Sequence, residues 1–298
     1  MVEEIIMTSG FPAAGKSSHI KPYIEKGYHN LNLDDSPKKW NLNMLHSQIA
    51  PMLEKHGKVI LDNTYVTKEQ RKGVLDVAKQ RGAKVTLLRL TTSIEDAQFN
   101  AAYRIATGGR EVPAIALFAA RKNWEEPSLS EGIDEIVKIP FVRVLPSTYV
   151  NKALILDYDG TLRITKSGAK WPTEINDIQI IPGVSKKIKE YVDKGYILLG
   201  ASNQSAVGKG EMTADQAKKC FEHTNKLLGF DIEFLYCPDA SFPVKSYDRK
   251  PLPGMGVKHI VKHKLDPSKC IYVGDMTVDK TFAGRCGFQF IDIKKFLE

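Results

Sequence analysis

Two series of apolar runs alternate with helix-like stretches along the 298-residue chain. In the first half the apolar runs are almost continuous, as is typical of strands buried on both faces of a parallel sheet. These runs are Glu4–Met7, Val59–Leu61 and Val85–Leu90. The helix-like stretches between and after them are Lys16–Lys26, Lys68–Arg81 and Ser93–Ala106. Such alternation predicts strand–helix–strand units and a parallel sheet covered by helices.

The second series begins after a pause near residues 145–148. Five further strands are predicted, again separated by helix-like segments: Ala153–Leu156, Tyr196–Leu199, Ile232–Tyr236, Cys270–Val273 and Phe288–Ile293. A chain of this length holds about two ordinary domains. We therefore expect an α/β protein with two domains, residues 1–147 and 151–298, each a parallel sheet flanked by helices and joined by a short linker near residues 146–151.

Composition narrows the class of protein. Hydrophobic residues make up 42% and charged residues 26%, near the averages for a globular chain. The sequence has no apolar run as long as a membrane span and no secretory leader, so an intracellular location without a membrane partner is expected. A net charge of +8 favours polyanionic partners only weakly.

Cysteine and histidine give no metal motif. The histidines form no HxH or HExxH pattern, so structural roles are expected for them. The four cysteines include no CxxC pair, which predicts free thiols in a reducing compartment and no zinc site. They are Cys220, Cys237, Cys270 and Cys286.

The first chemical motif is Gly-Phe-Pro-Ala-Ala-Gly-Lys-Ser at residues 10–17, a GxxxxGK(S/T) phosphate-binding loop between a predicted strand and a helix. Its glycines let backbone N–H groups turn toward phosphate oxygens at the helix N-terminus. The lysine of this pattern reaches the β- and γ-phosphates and the serine ligates Mg²⁺. The loop therefore predicts binding of ATP with Mg²⁺ through Gly10, Ala13, Ala14, Gly15, Lys16, Ser17 and Ser18.

Carboxylates follow two other apolar stretches of the first half, at the edge where parallel sheets bind ligands. A kinase acting on an alcohol needs a carboxylate beside the hydroxyl, and Asp34 is the candidate base. Asp62 is expected on the substrate side. Arg104 precedes the pair Gly108-Gly109, as in a hinged lid, and is predicted to stabilise charge on the transferred phosphoryl group.

The second chemical motif, Asp-Tyr-Asp-Gly-Thr at residues 157–161, directly follows the strand Ala153–Leu156. It resembles the first motif of haloacid-dehalogenase-type phosphatases. In that chemistry the first carboxylate attacks phosphorus and the second exchanges protons with the leaving oxygen and with water. The resemblance predicts Asp157 as nucleophile and Asp159 as acid and base.

The remaining motifs of such phosphatases follow in order. Ser202 and Asn203 end a strand and are expected to hold phosphate oxygens, and Lys250 is expected to neutralise the phosphate. A later strand is closed by two carboxylates, at residues 275 and 279. We expect Asp275 to complete a Mg²⁺ site with Asp157 and the backbone carbonyl of Asp159.

Over nearly its whole length the chain resembles the bifunctional polynucleotide kinase/phosphatases, which phosphorylate 5′-hydroxyls and remove 3′-phosphates. The resemblance also rests on Arg121–Pro127 and on Ser202-Asn203-Gln204 with Gly208-Lys209-Gly210. It implies DNA or RNA ends as substrates, a ligase acting downstream, and substrate contacts from Lys38 and Lys209. Sugar-phosphatase relatives carry a Cys/His zinc loop before the motif containing Lys250. Here only Cys237 stands in that region, so no zinc is expected.

Two alternatives stay open from the sequence. One is a kinase/phosphatase of a small metabolite or nucleoside, and the other is a nucleic-acid-binding protein without catalytic activity. The intact Lys16, Asp157 and Asp159 argue against the second. The segment Arg163–Asp177 is too short for a full cap domain, so an open phosphatase cleft with a small lid is expected. The sequence does not separate DNA from RNA.

Overall fold

A computed structural model describes residues 2–37 and 39–298 of the chain. Lys38, the predicted acceptor contact, lies outside the described residues. Contacts divide the chain into two compact units. The first unit comprises Met1–Ala97 and Ile115–Arg143, and the second comprises Gln98–Ala114 and Val144–Glu298. The domain boundary expected near residues 146–151 stays a prediction, and the contact-defined units differ from it at residues 98–114.

The first unit is built on a five-stranded parallel sheet with strand order β2-β3-β1-β4-β5. Its strands are β1 (Glu4–Ser9), β2 (His29–Leu31), β3 (Lys58–Leu61), β4 (Lys84–Leu90) and β5 (Glu135–Ile139). The helices in this part of the chain are α1 (Lys16–Glu25), α2 (Leu42–His46), α3 (Ile49–His56), α4 (Lys68–Arg81), α5 (Ile94–Ala106) and α6 (Ala114–Lys122).

Register and capping explain why these elements form where they do. Met7 of β1 pairs with Leu61 of β3 and Leu87 of β4, and all three side chains are fully buried. Continuous burial of this kind is what the apolar runs predicted. Helix α4 starts at a capping box made by Thr67 and Gln70, which satisfies its first N–H groups.

The second unit has its own five-stranded parallel sheet, ordered β10-β9-β6-β11-β12, and a small antiparallel pair, β7 with β8. Its strands are β6 (Ala153–Leu156), β7 (Arg163–Thr165), β8 (Ile178–Ile180), β9 (Ile197–Asn203), β10 (Glu233–Cys237), β11 (Ile271–Gly274) and β12 (Gln289–Asp292). Its helices after residue 144 are α7 (Val184–Asp193), α8 (Ser205–Gly208), α9 (Ala214–Leu228), α10 (Gly254–His263), α11 (Thr277–Cys286) and α12 (Ile293–Leu297).

Strand β6 is central in the second sheet, between β9 and β11. The chain leaves β6 toward one side and later returns to the other, so the carboxyl ends of these three strands border a crevice. The core beneath it is contributed by both faces of β6 and by the helices, with Leu154, Leu156 and Phe221 fully buried. This crevice is where the second motif and its partners are placed.

The α/β class and all eight predicted strands are confirmed, with ends shifted by a few residues. Strands β2, β5, β7 and β8 were not predicted. The four cysteines are free and buried. None of the helices within residues 2–37 and 39–298 has the length and hydrophobicity needed to cross a bilayer.

Candidate active sites

The phosphate-binding loop, Gly10–Ser17, joins β1 to α1 at the carboxyl edge of the first sheet. Two of its residues adopt left-handed backbone angles, Ala13 with φ of 58° and Gly15 with φ of 91°. Such angles turn successive N–H groups toward one side, and Gly15 reaches them without strain. The Gly10 N–H donates to the Thr64 carbonyl at 3.0 Å, which fixes the start of the loop against the segment after β3.

Three side chains meet at the first turn of α1. Lys16 Nζ donates to the Phe11 carbonyl at 2.8 Å and so curls over the loop. Ser17 Oγ donates to Asp62 Oδ2 at 2.7 Å. Asp62 is only 5% exposed, and burial raises the pKa of its carboxyl, against the Ser17 hydrogen bond and the Lys16 charge. A buried carboxylate beside the loop serine is the arrangement that holds Mg²⁺ in phosphate-binding-loop enzymes.

The structure places Asp62 against Ser17. The reason is the sheet order: β3 lies directly beside β1, so the residue after β3 faces the loop after β1. The part expected of Asp62 on the substrate side stays a prediction.

Asp34 lies in the exposed loop after β2. The side chain of Asn63 accepts the Leu33 N–H at 3.2 Å, and the Asn32 side chain accepts the Asp34 N–H at 2.8 Å. The Asn63 contact holds the Asp34 loop next to the run that carries Asp62, and the Asn32 contact is local to that loop. Ser18 is exposed on α1.

Arg104, the predicted lid residue, is exposed in the last turn of α5. It belongs to residues 98–114, which group with the second unit. The backbone of this segment is held there by Tyr247, whose hydroxyl donates to the Val112 carbonyl at 2.8 Å. A part for Arg104 in phosphoryl transfer stays a prediction.

The second site centres on a buried lysine between two carboxylates. Lys250 Nζ lies 2.9 Å from Asp157 Oδ1 and 2.7 Å from Asp279 Oδ1. Burial alone would lower the pKa of Lys250, but the two carboxylates raise it above its ordinary value. Burial raises the pKa of Asp157 to about 6 despite the neighbouring ammonium. Tyr272 completes the group, because its hydroxyl accepts from Lys250 Nζ at 2.8 Å.

Asp159 is held on both carboxylate oxygens. Arg163 Nε donates to Oδ1 at 2.8 Å, and Gln204 Nε2 donates to Oδ2 at 2.7 Å. Arg163 is itself 1% exposed and is anchored by the Cys220 carbonyl at 2.7 Å. These contacts fix the orientation of the Asp159 side chain without blocking it, since a carboxylate accepts about four hydrogen bonds.

The predicted phosphate-holding residues have different surroundings. Asn203 is paired with the backbone of Lys250 through two hydrogen bonds, of 3.0 Å to its carbonyl and 2.9 Å from its N–H. Asn203 therefore positions Lys250 by geometry. Ser202 is buried and accepts from Gln204 at 3.3 Å. Lys209 is half-exposed, 3.8 Å from Glu211.

Carboxylates gather at the ends of β6 and β11. Oxygens of Asp157, Asp275 and Asp279 lie within 4.8 Å of one another, which suits a divalent cation. Asp279 is engaged by Lys250 and by the Met276 N–H, whereas Asp275 is exposed. A side chain at Gly160, whose φ is +82°, would overlap the Asp275 carboxylate. Asp275 is thus the more available carboxylate of the two, and its part as a Mg²⁺ ligand, like that of the Asp159 carbonyl, stays a prediction.

A cavity of about 320 Å³ opens beside Asp159. Its other walls come from the segment after the second motif, including Arg163, Gly168, Lys170 and Pro172. Strand β7 lies within this segment and pairs with β8, which follows it, so the segment is a small flap with regular structure. It has the size expected of a lid, and a closing movement stays a prediction.

Sequence reasoning gave no site role to Arg163, Gln204 and Tyr272. It also missed the ion pair that Asp279 makes with Lys250. Gln204 and Arg163 stand close along the chain to predicted residues, so their polar character was a usable signal. Tyr272 lies inside a strand, in a pattern typical of core residues. Only the return of the loop before α10 to the end of β9, where Asn203 holds the Lys250 backbone, brings Lys250 to the Tyr272 hydroxyl.

Comparison with known proteins assigns each half of the chain separately. Residues 152–294 match the family model described as polynucleotide kinase 3 phosphatase. Residues 5–127 match a family model described as an AAA domain. The two matches cover the sheet of the second unit and the phosphate-binding loop with β1 to β4 of the first.

The chain also has curated relatives, each aligned over about half of it. It is 33% identical over 146 residues to a D-glycero-β-D-manno-heptose-1,7-bisphosphate 7-phosphatase of Haemophilus ducreyi, covering 46% of this chain and 79% of the relative. It is 29% identical over 141 residues to a bifunctional polynucleotide phosphatase/kinase of Schizosaccharomyces pombe, covering 47% of this chain and 34% of that protein. A solved Pnkp1/Rnl/Hen1 complex aligns over 98% of this chain and 96% of that chain, with 13% identity and a TM-score of 0.37.

Proposed function

Because the chain belongs to the bifunctional polynucleotide kinase/phosphatase family, we propose that its two sites heal nucleic-acid ends: one phosphorylates 5′-hydroxyls and the other removes 3′-phosphates. The observation that carries this proposal is the presence of two separate chemistries in one chain. Lys16, Ser17 and Asp62 form a triphosphate site in the first unit. Asp157, Asp159 and Lys250 form a phosphatase site in the second. A ligase acting afterwards would seal ends of this kind.

In the kinase site we assign ATP binding to the loop Gly10–Ser17. The 5′-oxygen attacks the γ-phosphorus, the bond to the β-phosphate oxygen breaks, and Asp34 accepts the hydroxyl proton. Lys16 neutralises phosphate charge. Ser17 and Asp62 would hold Mg²⁺, which supplies further neutralisation when bound. Their fit to a cation is supported by the buried Asp62 side chain: its Oδ2 accepts from Ser17, and its Oδ1 makes no hydrogen bond to the described residues.

In the phosphatase site an Asp157 oxygen attacks phosphorus while the bond between phosphorus and O3′ breaks. Asp159 donates a proton to O3′, giving a free 3′-hydroxyl and an aspartyl-phosphate. Asp159 then takes a proton from water, whose oxygen attacks the same phosphorus and releases inorganic phosphate. Lys250 faces the nucleophile and stabilises the transferred charge.

Mg²⁺ in the phosphatase site would be held by Asp157 and Asp275, with the Asp159 carbonyl. The fit rests on the cluster of carboxylate oxygens within 4.8 Å and on the oxygen-only donor set. Bound Mg²⁺ would supply charge neutralisation for the incoming phosphate. Lys250 and Asp279 keep their mutual ion pair beside it.

The substrate class is supported by the edge of the phosphatase cavity. Trp171 is half-buried and follows the cavity residue Lys170. Two ammonium groups lie over its ring, Lys170 Nζ at 5.7 Å and Lys209 Nζ at 5.9 Å from the centroid. An aromatic ring flanked by lysines is suited to stack a base and contact its phosphates. We assign this cluster to the nucleotides next to the 3′-phosphate.

One oligonucleotide with a 5′-hydroxyl and a 3′-phosphate tests both assignments at once. It is incubated with Mg²⁺ and labelled ATP beside Lys16→Ala and Asp157→Asn. We expect Lys16→Ala to lose only 5′-labelling and Asp157→Asn to lose only phosphate release. Each variant is thus the folding control for the other. If Lys16→Ala keeps 5′-labelling, the assignment of the kinase site is refuted. If Asp157→Asn keeps phosphate release, the assignment of the phosphatase site is refuted.

Trp171→Ala tests the stacking surface. We expect a higher KM for a 3′-phosphorylated oligonucleotide and an unchanged kcat/KM for p-nitrophenyl phosphate, which has no base. Stacking is worth about 1–3 kcal/mol per base, so the increase should be roughly 5- to 150-fold. Trp171→Phe should restore most of the affinity. An equal effect on both substrates would reject base stacking.

A second candidate function has its own observation. Over about half of its length the chain is 33% identical to the Haemophilus ducreyi heptose-bisphosphate phosphatase, against 29% to the Schizosaccharomyces pombe enzyme. That candidate predicts turnover of a sugar bisphosphate by the second unit. The kinase half and the Trp171 cluster favour polynucleotide ends. The two candidates differ in the phosphatase substrate, which is a polynucleotide 3′-phosphate in one and a sugar bisphosphate in the other.

A further inference from the structure

A group of metal-ligating side chains lies outside both proposed catalytic sites. It consists of Glu233 at the start of β10 and of His259 and His263 in α10. The histidines are four residues apart, which places them on one face of the helix. One ligand atom from each of the three residues lies within 4.8 Å of the others.

The strongest sign of a ligand is the state of His259. Its side chain is fully buried, and its Nε2 lies 2.9 Å from the Gly200 carbonyl. Because a carbonyl only accepts, Nε2 carries the proton and Nδ1 presents a bare lone pair. Nδ1 is buried and makes no hydrogen bond to any residue that the structure describes. A neutral imidazole with one bare nitrogen is the form that binds metals.

The distances suit a small transition-metal ion. His263 Nε2 is 3.3 Å and His259 Nδ1 is 4.0 Å from Glu233 Oε1. Bonds of 2.0–2.1 Å in a tetrahedron separate ligand atoms by about 3.3 Å, so modest side-chain movement closes the set. Lys262 Nζ donates to the other oxygen, Glu233 Oε2, at 2.8 Å and leaves Oε1 facing the histidines.

We propose that Glu233, His259 and His263 bind one Zn²⁺-class divalent ion, with water in the fourth position. Two imidazoles and one carboxylate select zinc-like metals over Mg²⁺, which prefers oxygen ligands. The Gly200 carbonyl is the outer partner that orients a ligating histidine in metal sites. The ion would clamp α10 to the start of β10, next to the β9 residue Gly200 whose carbonyl holds His259. This proposal departs from the expectation of no zinc, which rested on the missing HxH, HExxH and CxxC patterns and on the region of Cys237.

Zinc binding to the full chain tests the proposal. The protein is freed of metals, equilibrated with Zn²⁺ in a large excess of Mg²⁺, and analysed for bound metal and for melting temperature. Co²⁺ serves as a spectroscopic probe, since four-coordinate nitrogen-bound cobalt gives a strong visible absorption. We expect one Zn²⁺ per chain, a higher melting temperature and that absorption.

Four variants distinguish zinc at this site from zinc at the catalytic carboxylates and from a loss of folding. Glu233→Gln and His263→Gln should weaken Zn²⁺ by at least about 100-fold, since even loss of an outer partner costs about 10- to 100-fold. Lys262→Gln keeps all three ligands beside the same residues and should bind at least as tightly as wild type. Asp157→Asn should also bind normally, because the catalytic carboxylates are a different site. Both ligand variants replace partly exposed side chains, and far-ultraviolet circular dichroism checks their folding. No stoichiometric Zn²⁺ in wild type, or equal binding in folded His263→Gln, would overturn the proposal.

Discussion

Among the contacts described, Lys250 is the only positive charge between the buried carboxylates of Asp157 and Asp279. Replacing Lys250 with methionine removes that charge. Methionine keeps much of the volume, so the change is mainly electrostatic. Lys250 and Asp279 are 3% and 1% exposed, and Asp157 is 6% exposed. The remaining pair of carboxylates then faces the interior without a counter-charge.

The magnitude follows from these distances. At an effective dielectric constant of about 20, each contact near 2.8 Å has a gross attraction of about 6 kcal/mol, most of which offsets desolvation. Removal of one partner from a buried ion pair costs about 3–5 kcal/mol. For a domain of this size each kcal/mol lowers the melting temperature by about 2–4 °C, so a decrease of roughly 6–20 °C is expected.

Thermal unfolding without Mg²⁺ at pH 7 and pH 5 provides the assay. Burial already raises the pKa of Asp157, and loss of the ammonium raises it further. The folded state then binds more protons than the unfolded state, and the stability of the variant falls as pH rises through that interval. The destabilisation should therefore be larger at pH 7 than at pH 5. Added Mg²⁺ should recover part of it by neutralising Asp157.

Lys209→Met is the control, because Lys209 is half-exposed and its ion pair with Glu211 is 3.8 Å long. It should change stability by less than about 1 kcal/mol. The double variant Lys250→Met with Asp279→Asn should be more stable than Lys250→Met alone. Equal melting temperatures for wild type and Lys250→Met, or a loss that does not depend on pH, would refute the electrostatic reasoning.

Two further predictions concern residues that support the catalytic groups. Arg163→Met releases one oxygen of Asp159 and should lower phosphatase kcat by at least about 10-fold, because acid–base catalysis contributes about 10²–10⁴-fold to the rate. The 5′-kinase activity should be unchanged. Steady-state assays on both ends measure this, and loss of both activities would indicate misfolding. Asp62→Asn should abolish kinase activity and raise the melting temperature of metal-free protein at pH 7, because burial raises the pKa of Asp62 and so makes its ionised form costly. The stabilisation should disappear below about pH 4, where the carboxyl is protonated in both the folded and the unfolded state. A lower melting temperature of the variant at pH 7 would contradict this reasoning.

Much of both sites was predictable because their chemistry follows strands. Asp157 comes directly after β6, and the loop Gly10–Ser17 directly after β1. In parallel sheets such strand ends share one edge, so motif order alone predicts that the side chains meet. Lys250 is different, since it lies in a loop before α10. Its placement was expected from the family resemblance, and the Asn203 hydrogen bonds give the physical reason.

What the sequence did not reveal depends on sheet order and on helix packing. The contact between Asp62 and Ser17 could not be predicted, because nothing local says that β3 lies beside β1. His259 and His263 show a four-residue spacing in the sequence, but such a pair is common in ordinary helices. Only the pairing of β9 with β10 brings Glu233 near them and turns the Gly200 carbonyl toward His259. Long-range neighbours of this kind carry no local pattern.

The most direct test of end healing is the ratio of kcat/KM values of the phosphatase for two substrates. One is a 3′-phosphorylated oligonucleotide and the other is D-glycero-β-D-manno-heptose 1,7-bisphosphate, each assayed with Mg²⁺ and with Asp157→Asn as the blank. We predict a ratio of at least about 100 in favour of the oligonucleotide, because the proposed stacking on Trp171, over whose ring Lys170 and Lys209 lie, needs a base that the sugar lacks. A ratio near one, or one favouring the sugar, would contradict the account.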